Sequence, residues 1–185
     1  MKNIIKNALI LTLITLVAGT ALAFVYSITK EPIAQADKKA TAEAYQTVFK
    51  DAETFEELEL SDYKDENNST VSAVSSAKSG DKIIGYVMTV ASKGYGGDIK
   101  LAMGIDLQGN LTGISILDAS NETPGLGAKV KDDAFTAQFK GVSFDKLDTD
   151  VDAISGATYS SKGVKNAVTA GFNYFNENLN KGEEN

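Results

Sequence analysis

The chain of 185 residues contains no cysteine, no histidine, no tryptophan and only two prolines, and all of its basic residues are lysine because arginine is also missing. These absences exclude a Ser-His-Asp triad, a Cys-His dyad, a thiolate-held iron–sulfur cluster and the usual zinc sites built from this chain alone. No disulfide can form, so cysteine usage says nothing about compartment. Redox or group-transfer chemistry on such a chain requires a cofactor to supply the reactive group. Positive charge is scarce too. Eighteen lysines against 25 acids give a net charge of −7, and the first 30 residues hold Lys2, Lys6 and Lys30 with no acid, leaving residues 31–185 at 15 − 25 = −10. A body of that charge does not fit nucleic-acid binding through phosphate neutralisation. The length suits one domain with a sizeable core, plus appendages.

What the chain does have is one long hydrophobic run. Between Lys6 and Lys30 lie 23 residues without a charge, which as a helix would span about 35 Å against a hydrocarbon core of about 30 Å. Lys2 and Lys6 precede the run, and Lys30 behind it is followed at once by Glu31. The positive-inside rule therefore predicts a single pass through the cell membrane, with Met1 cytoplasmic and the acidic body extracytoplasmic. Ala21-Leu22-Ala23 also fits a signal-peptide cleavage pattern, but the apolar stretch continues through Phe24, Val25 and Tyr26. A retained anchor, with Tyr26 at the interface, is the expectation. The anchor can pack on other membrane helices through Ala18, Gly19 and Ala21 or simply sit in lipid.

The rest divides into a helical connector (31–60), a compact domain (61–180) and a tail (181–185). Glu31-Pro32 fits a helix restart, and Ile33, Ala36, Ala40, Ala44 and Val48 keep helical spacing over 32–50. Residues 61–70 are a polar loop. Val71–Ala77, Lys82–Ala91, Ile99–Ile105 and Leu111–Leu117 read as strands separated by glycine-containing turns, an antiparallel meander. A short helix is expected around Lys129–Phe139, and a longer one from about Ser160 to Leu179 with Val164, Val168, Phe172, Phe175 and Leu179 on one face. The predicted class is α+β: an antiparallel sheet packed with helices, preceded by one transmembrane helix.

Three segments can carry chemistry. Asp152-Ala-Ile-Ser155-Gly156-Ala157-Thr158-Tyr159-Ser160-Ser161 is a hydroxyl-rich loop running into a helix amino terminus. Gly156 and Ala157 allow close backbone approach, Ser160 or Ser161 can cap the helix, and the free amides and helix dipole suit a phosphate. Taken alone, this is also how an ordinary capped helix begins. Glu122-Thr123-Pro124-Gly125-Leu126-Gly127 reads as a turn with Pro at i+1 and Gly at i+2. Gly94-Tyr95-Gly96-Gly97 reads as a glycine-rich hairpin presenting a tyrosine.

Together, Asp-x-x-Ser-Gly-Ala-Thr, Glu-Thr-Pro-Gly-Leu-Gly and Gly-Tyr-x-Gly, behind a single amino-terminal anchor, resemble the FMN-binding domain family. That family includes the G subunit of the Rnf electron-transport complex and the usually longer C subunit of the sodium-pumping NADH:quinone oxidoreductase. The short chain favours the Rnf protein, and the resemblance runs from about residue 5 to residue 179.

It implies FMN covalently attached through a phosphoester to Thr158, installed by a flavin transferase that uses FAD and a metal ion, with Asp152 as the acidic residue the transferase recognises. It implies flavin-site roles for Ser155, Gly156, Ala157, Tyr159, Ser160, Ser161, Glu122, Thr123, Gly125, Leu126 and Tyr95. With no arginine, phosphate charge falls to amides, hydroxyls or a lysine such as Lys162, whose ordinary role is a solvated helix residue. The implied partners are the other membrane subunits of an Rnf complex, above all the flavin-bearing D subunit, together with the transferase and membrane lipid. No Gly-x-Gly-x-x-Gly unit follows a strand, so the chain is expected to be one electron relay in an ion-pumping ferredoxin:NAD oxidoreductase rather than a complete enzyme. Two other classes remain open on these residues: a flavin carrier of another extracytoplasmic electron-transfer route, and a non-redox anchored binding or assembly module.

Overall fold

The structure, a computed structural model, describes residues 2–61, 63, 65 and 68–180. The predicted polar loop therefore falls partly outside the described residues, and the 181–185 tail wholly so. Two compact units are present, Met1–Ala40 and Thr41–Asn185.

The first unit is helical, the greater part of α1 (Lys2–Val48). Its apolar side chains, Leu9, Leu16, Leu22 and Phe24 among them, are exposed, and the helix is long and apolar enough to cross a membrane. The restart expected at Glu31-Pro32 does not occur, because Pro32 lies inside the continuous helix. One proline removes a single backbone hydrogen bond, and the alanine-rich residues after it are strong helix formers.

The second unit is built on a five-stranded antiparallel sheet in the order β1-β2-β3-β4-β5. Its strands are β1 (Thr54–Glu57), β2 (Thr70–Ser79), β3 (Lys82–Lys93), β4 (Asp98–Asp106) and β5 (Leu111–Asp118). The four strands expected from the sequence are all present. They are joined by β1, whose Phe55 is half-buried while its neighbours Thr54, Glu56 and Glu57 are exposed.

Alternation sorts the strands onto two faces. Met88 and Val90 of β3 and Ile99, Leu101, Met103 and Ile105 of β4 enter the larger core cluster with Val164, Val168 and Phe172 of α4 (Thr158–Tyr174). Gly171 of α4 lies so close to Met103 that a Cβ there would collide with its sulfur. The opposite face holds Ala77, Val87 and Ala102 against Ala44, Tyr45, Val48 and Phe49. There the Tyr45 hydroxyl meets Thr89 Oγ1 at 2.9 Å, both buried. Burial pushes the Tyr45 phenol above its ordinary value, against the lowering effect of the Thr89 hydrogen bond and with the Glu57 charge adding to the rise.

The helix expected over Lys129–Phe139 is instead a chain of short turns: 3-10 at Gly127–Lys131, α2 (Asp133–Thr136), then 3-10 at Ala137–Phe139. Asp132, in extended conformation (φ −69°, ψ 138°), separates the first two. A further 3-10 turn at Phe144–Lys146 and α3 (Leu147–Asp150) lead toward α4, which begins at Thr158 and ends in a π turn at Phe175–Leu179.

Candidate functional site

The three sequence motifs are far apart in the chain and meet in the fold. Gly94–Gly97 closes the hairpin between β3 and β4, with the Gly94 N–H donating to Gly97 O at 2.8 Å. Thr123–Leu126 forms the turn its Pro-Gly pair predicts: Leu126 N–H donates to Thr123 O at 3.1 Å and Gly125 takes a φ of +74°, the left-handed position a type II turn requires at i+2. Asp152–Ala157 leads into α4.

Glu122 joins all three. The residue is 3% exposed. Its Oε1 accepts from the Gly96 N–H at 2.9 Å, and its Oε2 accepts from the Ser160 hydroxyl. The packing around it leaves no slack. A Cβ on Gly127 would sit 2.5 Å from both Glu122 Oε2 and Ser160 Oγ, and one on Gly96 would strike the Asn121 carbonyl. Sequence reasoning gives Gly96 and Gly127 no role of their own. The available signal is a glycine with no turn geometry to demand it.

Among the described residues, no side chain caps α4. Contrary to expectation, neither Ser160 nor Ser161 does so, because the helix starts at Thr158 and both serines fall inside its first turn. Ser160 donates to Glu122, while Ser161 Oγ donates to Ala157 O at 3.1 Å and accepts from the Ile154 N–H at 2.9 Å. Both are buried, as is Ala157, whereas Ser155, Gly156, Thr158, Tyr159 and Lys162 are exposed. Gly156 has a φ of +77°, a conformation glycine adopts without the Cβ penalty. Thr158 thus presents its hydroxyl at the uncapped positive end of a 17-residue helix.

Around it lies exposed apolar surface. Tyr95 and Tyr159 are 70% and 72% exposed, and their rings stand 6.3 Å apart at 48°. Leu126 is exposed, its Cδ1 3.1 Å from where a Cβ on Gly156 would lie. Thr123 is exposed, its carbonyl accepting from Leu126 and Ala128. Asp152 is exposed, and its backbone N–H donates to Gln138 Oε1 at 2.8 Å. At the mouth of the 118–127 loop, the Ser120 backbone N–H and hydroxyl hold the Asp118 carboxyl below the usual carboxylate range, helped by Lys131 and Lys100 and opposed by slight desolvation. A groove lined by Val48, Phe49, Lys50, Asp106, Thr112 and Lys140 includes none of the motif residues.

Comparison with known proteins identifies the family. Residues 94–173 match the FMN-binding domain, and residues 1–48 match the RnfG N-terminal region. The G subunit of the proton-translocating ferredoxin:NAD(+) oxidoreductase complex of Clostridium ljungdahlii is 34% identical, over 85% of this chain and 86% of that protein. The G subunit of the Na(+)-translocating ferredoxin:NAD(+) oxidoreductase complex of Acetobacterium woodii is 33% identical, over 97% of this chain and 95% of that protein. Among solved structures, the C subunit of the Na(+)-translocating NADH-quinone reductase of Parabacteroides distasonis is 26% identical, over 55% of this chain and 60% of that one, with a TM-score of 0.46. On the identity and coverage of these relatives, the chain belongs to the G-subunit family of ion-translocating ferredoxin:NAD(+) oxidoreductase complexes.

Proposed function

We propose that this chain is a membrane-anchored flavoprotein subunit that carries FMN as a phosphoester on Thr158 and relays electrons within an ion-translocating ferredoxin:NAD(+) oxidoreductase complex. The observation that carries the reading is the division of labour among the hydroxyls at the start of α4. Ser160 and Ser161 are buried and hydrogen-bonded to their own chain, while Thr158 is exposed on the first residue of a helix that no described side chain caps.

The residues present fit the group. The first-turn amides and the positive helix end suit a singly charged phosphodiester, and the Ser155 hydroxyl and the exposed Lys162 stand in the same segment. Tyr95, Tyr159 and Leu126 provide apolar surface suited to an aromatic ring. When bound, FMN supplies reversible uptake and release of electrons. A covalent tether makes deep enclosure unnecessary, which suits a site built on exposed side chains. In maturation, the Thr158 oxygen forms a bond to the flavin-side phosphorus of FAD as the pyrophosphate bond breaks; AMP and the hydroxyl proton leave. Asp152, exposed ahead of the acceptor, is the residue the flavin transferase recognises. The lysines at the amino terminus place Met1 in the cytoplasm and the globular unit outside it. Its partners there are other membrane subunits of the complex, the flavin-bearing D subunit first among them.

The test is the denatured mass of the chain co-expressed with a flavin transferase, beside Thr158→Ala. We expect a gain of one FMN less water in the wild type and none in the variant. No gain in the wild type, with the transferase active on another acceptor, overturns the reading.

A further inference from the structure

We propose that Glu122 is a positioning residue: a buried carboxylate brace that sets the spacing between the Tyr95 hairpin and the first turn of α4, rather than a group that contacts a ligand. Both of its oxygens face inward, one on the Gly96 N–H and one on the Ser160 hydroxyl. Each partner adjoins an exposed tyrosine, since Gly96 follows Tyr95 and Ser160 follows Tyr159. Those two side chains lie mostly in solvent, so their own ring contact is a weak constraint, and the backbone behind them must fix the pair. Glu122 ties the two backbones together at the position next to each ring.

Two further observations support a brace. The glycines around the carboxylate remove the room in which it might shift: a Cβ on Gly94 would sit 2.5 Å from Oε1, and one on Gly127 would sit 2.5 Å from Oε2. The α4 end of the tie is anchored as well, because Gly163, one turn beyond Ser160, packs on Lys93 O and Gly94 Cα at 2.8 and 3.0 Å from its own Cβ position. A buried carboxylate that lost one of these donors would carry an unmet hydrogen-bonding demand. A glutamine there keeps an acceptor for Gly96 and gains an N–H for Ser160, so it preserves both ties.

That the brace serves a flavin rests on the proposed function; the brace itself is testable without one. Because the chain has no cysteine, Tyr95→Cys and Tyr159→Cys in the full chain create its sole thiols, and a nitroxide on each reports their separation through dipolar broadening of the spin-resonance spectrum. We expect the broadening to be retained with Glu122→Gln and lost with Glu122→Ala and with Ser160→Ala, in proteins shown folded by far-ultraviolet circular dichroism. Unchanged broadening in folded Glu122→Ala and Ser160→Ala overturns the proposal, since a role in stability alone lowers the melting temperature without moving the labels. If Glu122→Ala does not fold, Ser160→Ala, which removes one hydroxyl, decides. Wild-type chain that gains no FMN mass but shows brace-dependent broadening retires the flavin reading and keeps the brace; the opposite pair of results does the reverse.

Discussion

The two faces of the sheet are built on opposite plans. On the α4 face, β3 and β4 project Met88, Val90, Ile99, Leu101, Met103 and Ile105, and the core is filled by large side chains from both layers. On the other face the same strands present Gly85, Val87, Ala102 and Gly104, and most of the bulk comes from Tyr45, Val48 and Phe49. A Cβ on Gly85 would collide with the Ile105 carbonyl and lie about as close to the Phe49 ring. One face is therefore specified by what fills it and the other by what is kept out of it. Close packing makes both plans costly to alter, through cavities on the first and overlap on the second.

Three substitutions would sharpen or break this contrast, measured as urea unfolding of the full chain in detergent. The largest effect is expected from Phe172→Ala on the α4 face, which leaves a cavity in the main core and should cost about 3–5 kcal/mol. A smaller loss, about 1–3 kcal/mol, is expected from Gly85→Ala, where the added methyl meets backbone that cannot yield freely. If Gly85→Ala were neutral, the small-residue face would be tolerant rather than excluding. The mildest is Tyr45→Phe, which strands the buried Thr89 hydroxyl at a cost of about 1 kcal/mol. It carries a pH signature. The folded Tyr45 phenol is raised above its unfolded value, so its contribution is fully present below the unfolded pKa and is lost as pH rises through the folded one. The wild type should therefore lose stability in alkali over a window that Tyr45→Phe flattens.

These contrasts also explain how much of the molecule is legible in its sequence. The strands are legible because branched and aromatic residues alternate between glycine-bearing turns, and the α4 face of the core follows from the same alternation. The other face is less so, because Gly85 and Gly104 in its strands look the same in a sequence whether they turn a chain or admit a neighbour. β1 escapes because Thr-Phe-Glu-Glu holds one apolar residue, half-buried at an edge. The site is legible as three motifs and their order. That they converge on Glu122 is not, since the ties span 26 and 38 residues and spacing alone carries no contact. The capping role expected of Ser160 fails for a related reason: the helix begins two residues earlier, and the hydroxyl has a long-range partner that no local rule names.

The meander order carries a consequence in time. Each strand pairs with its neighbour in the chain, so the sheet grows by short loop closures, the kind that form fastest. The cluster around Glu122 cannot form that way, because Ser160 and Gly163 belong to the last helix while Lys93, Gly94 and Gly96 belong to the end of β3 and the β3–β4 turn. Docking of α4 is therefore expected to follow sheet formation, closing the main core and setting Thr158 in place together. If Thr158 carries the proposed phosphoester, an enzyme that needs that threonine in place would act only on folded chains, and the linkage would mark a chain whose folding is finished.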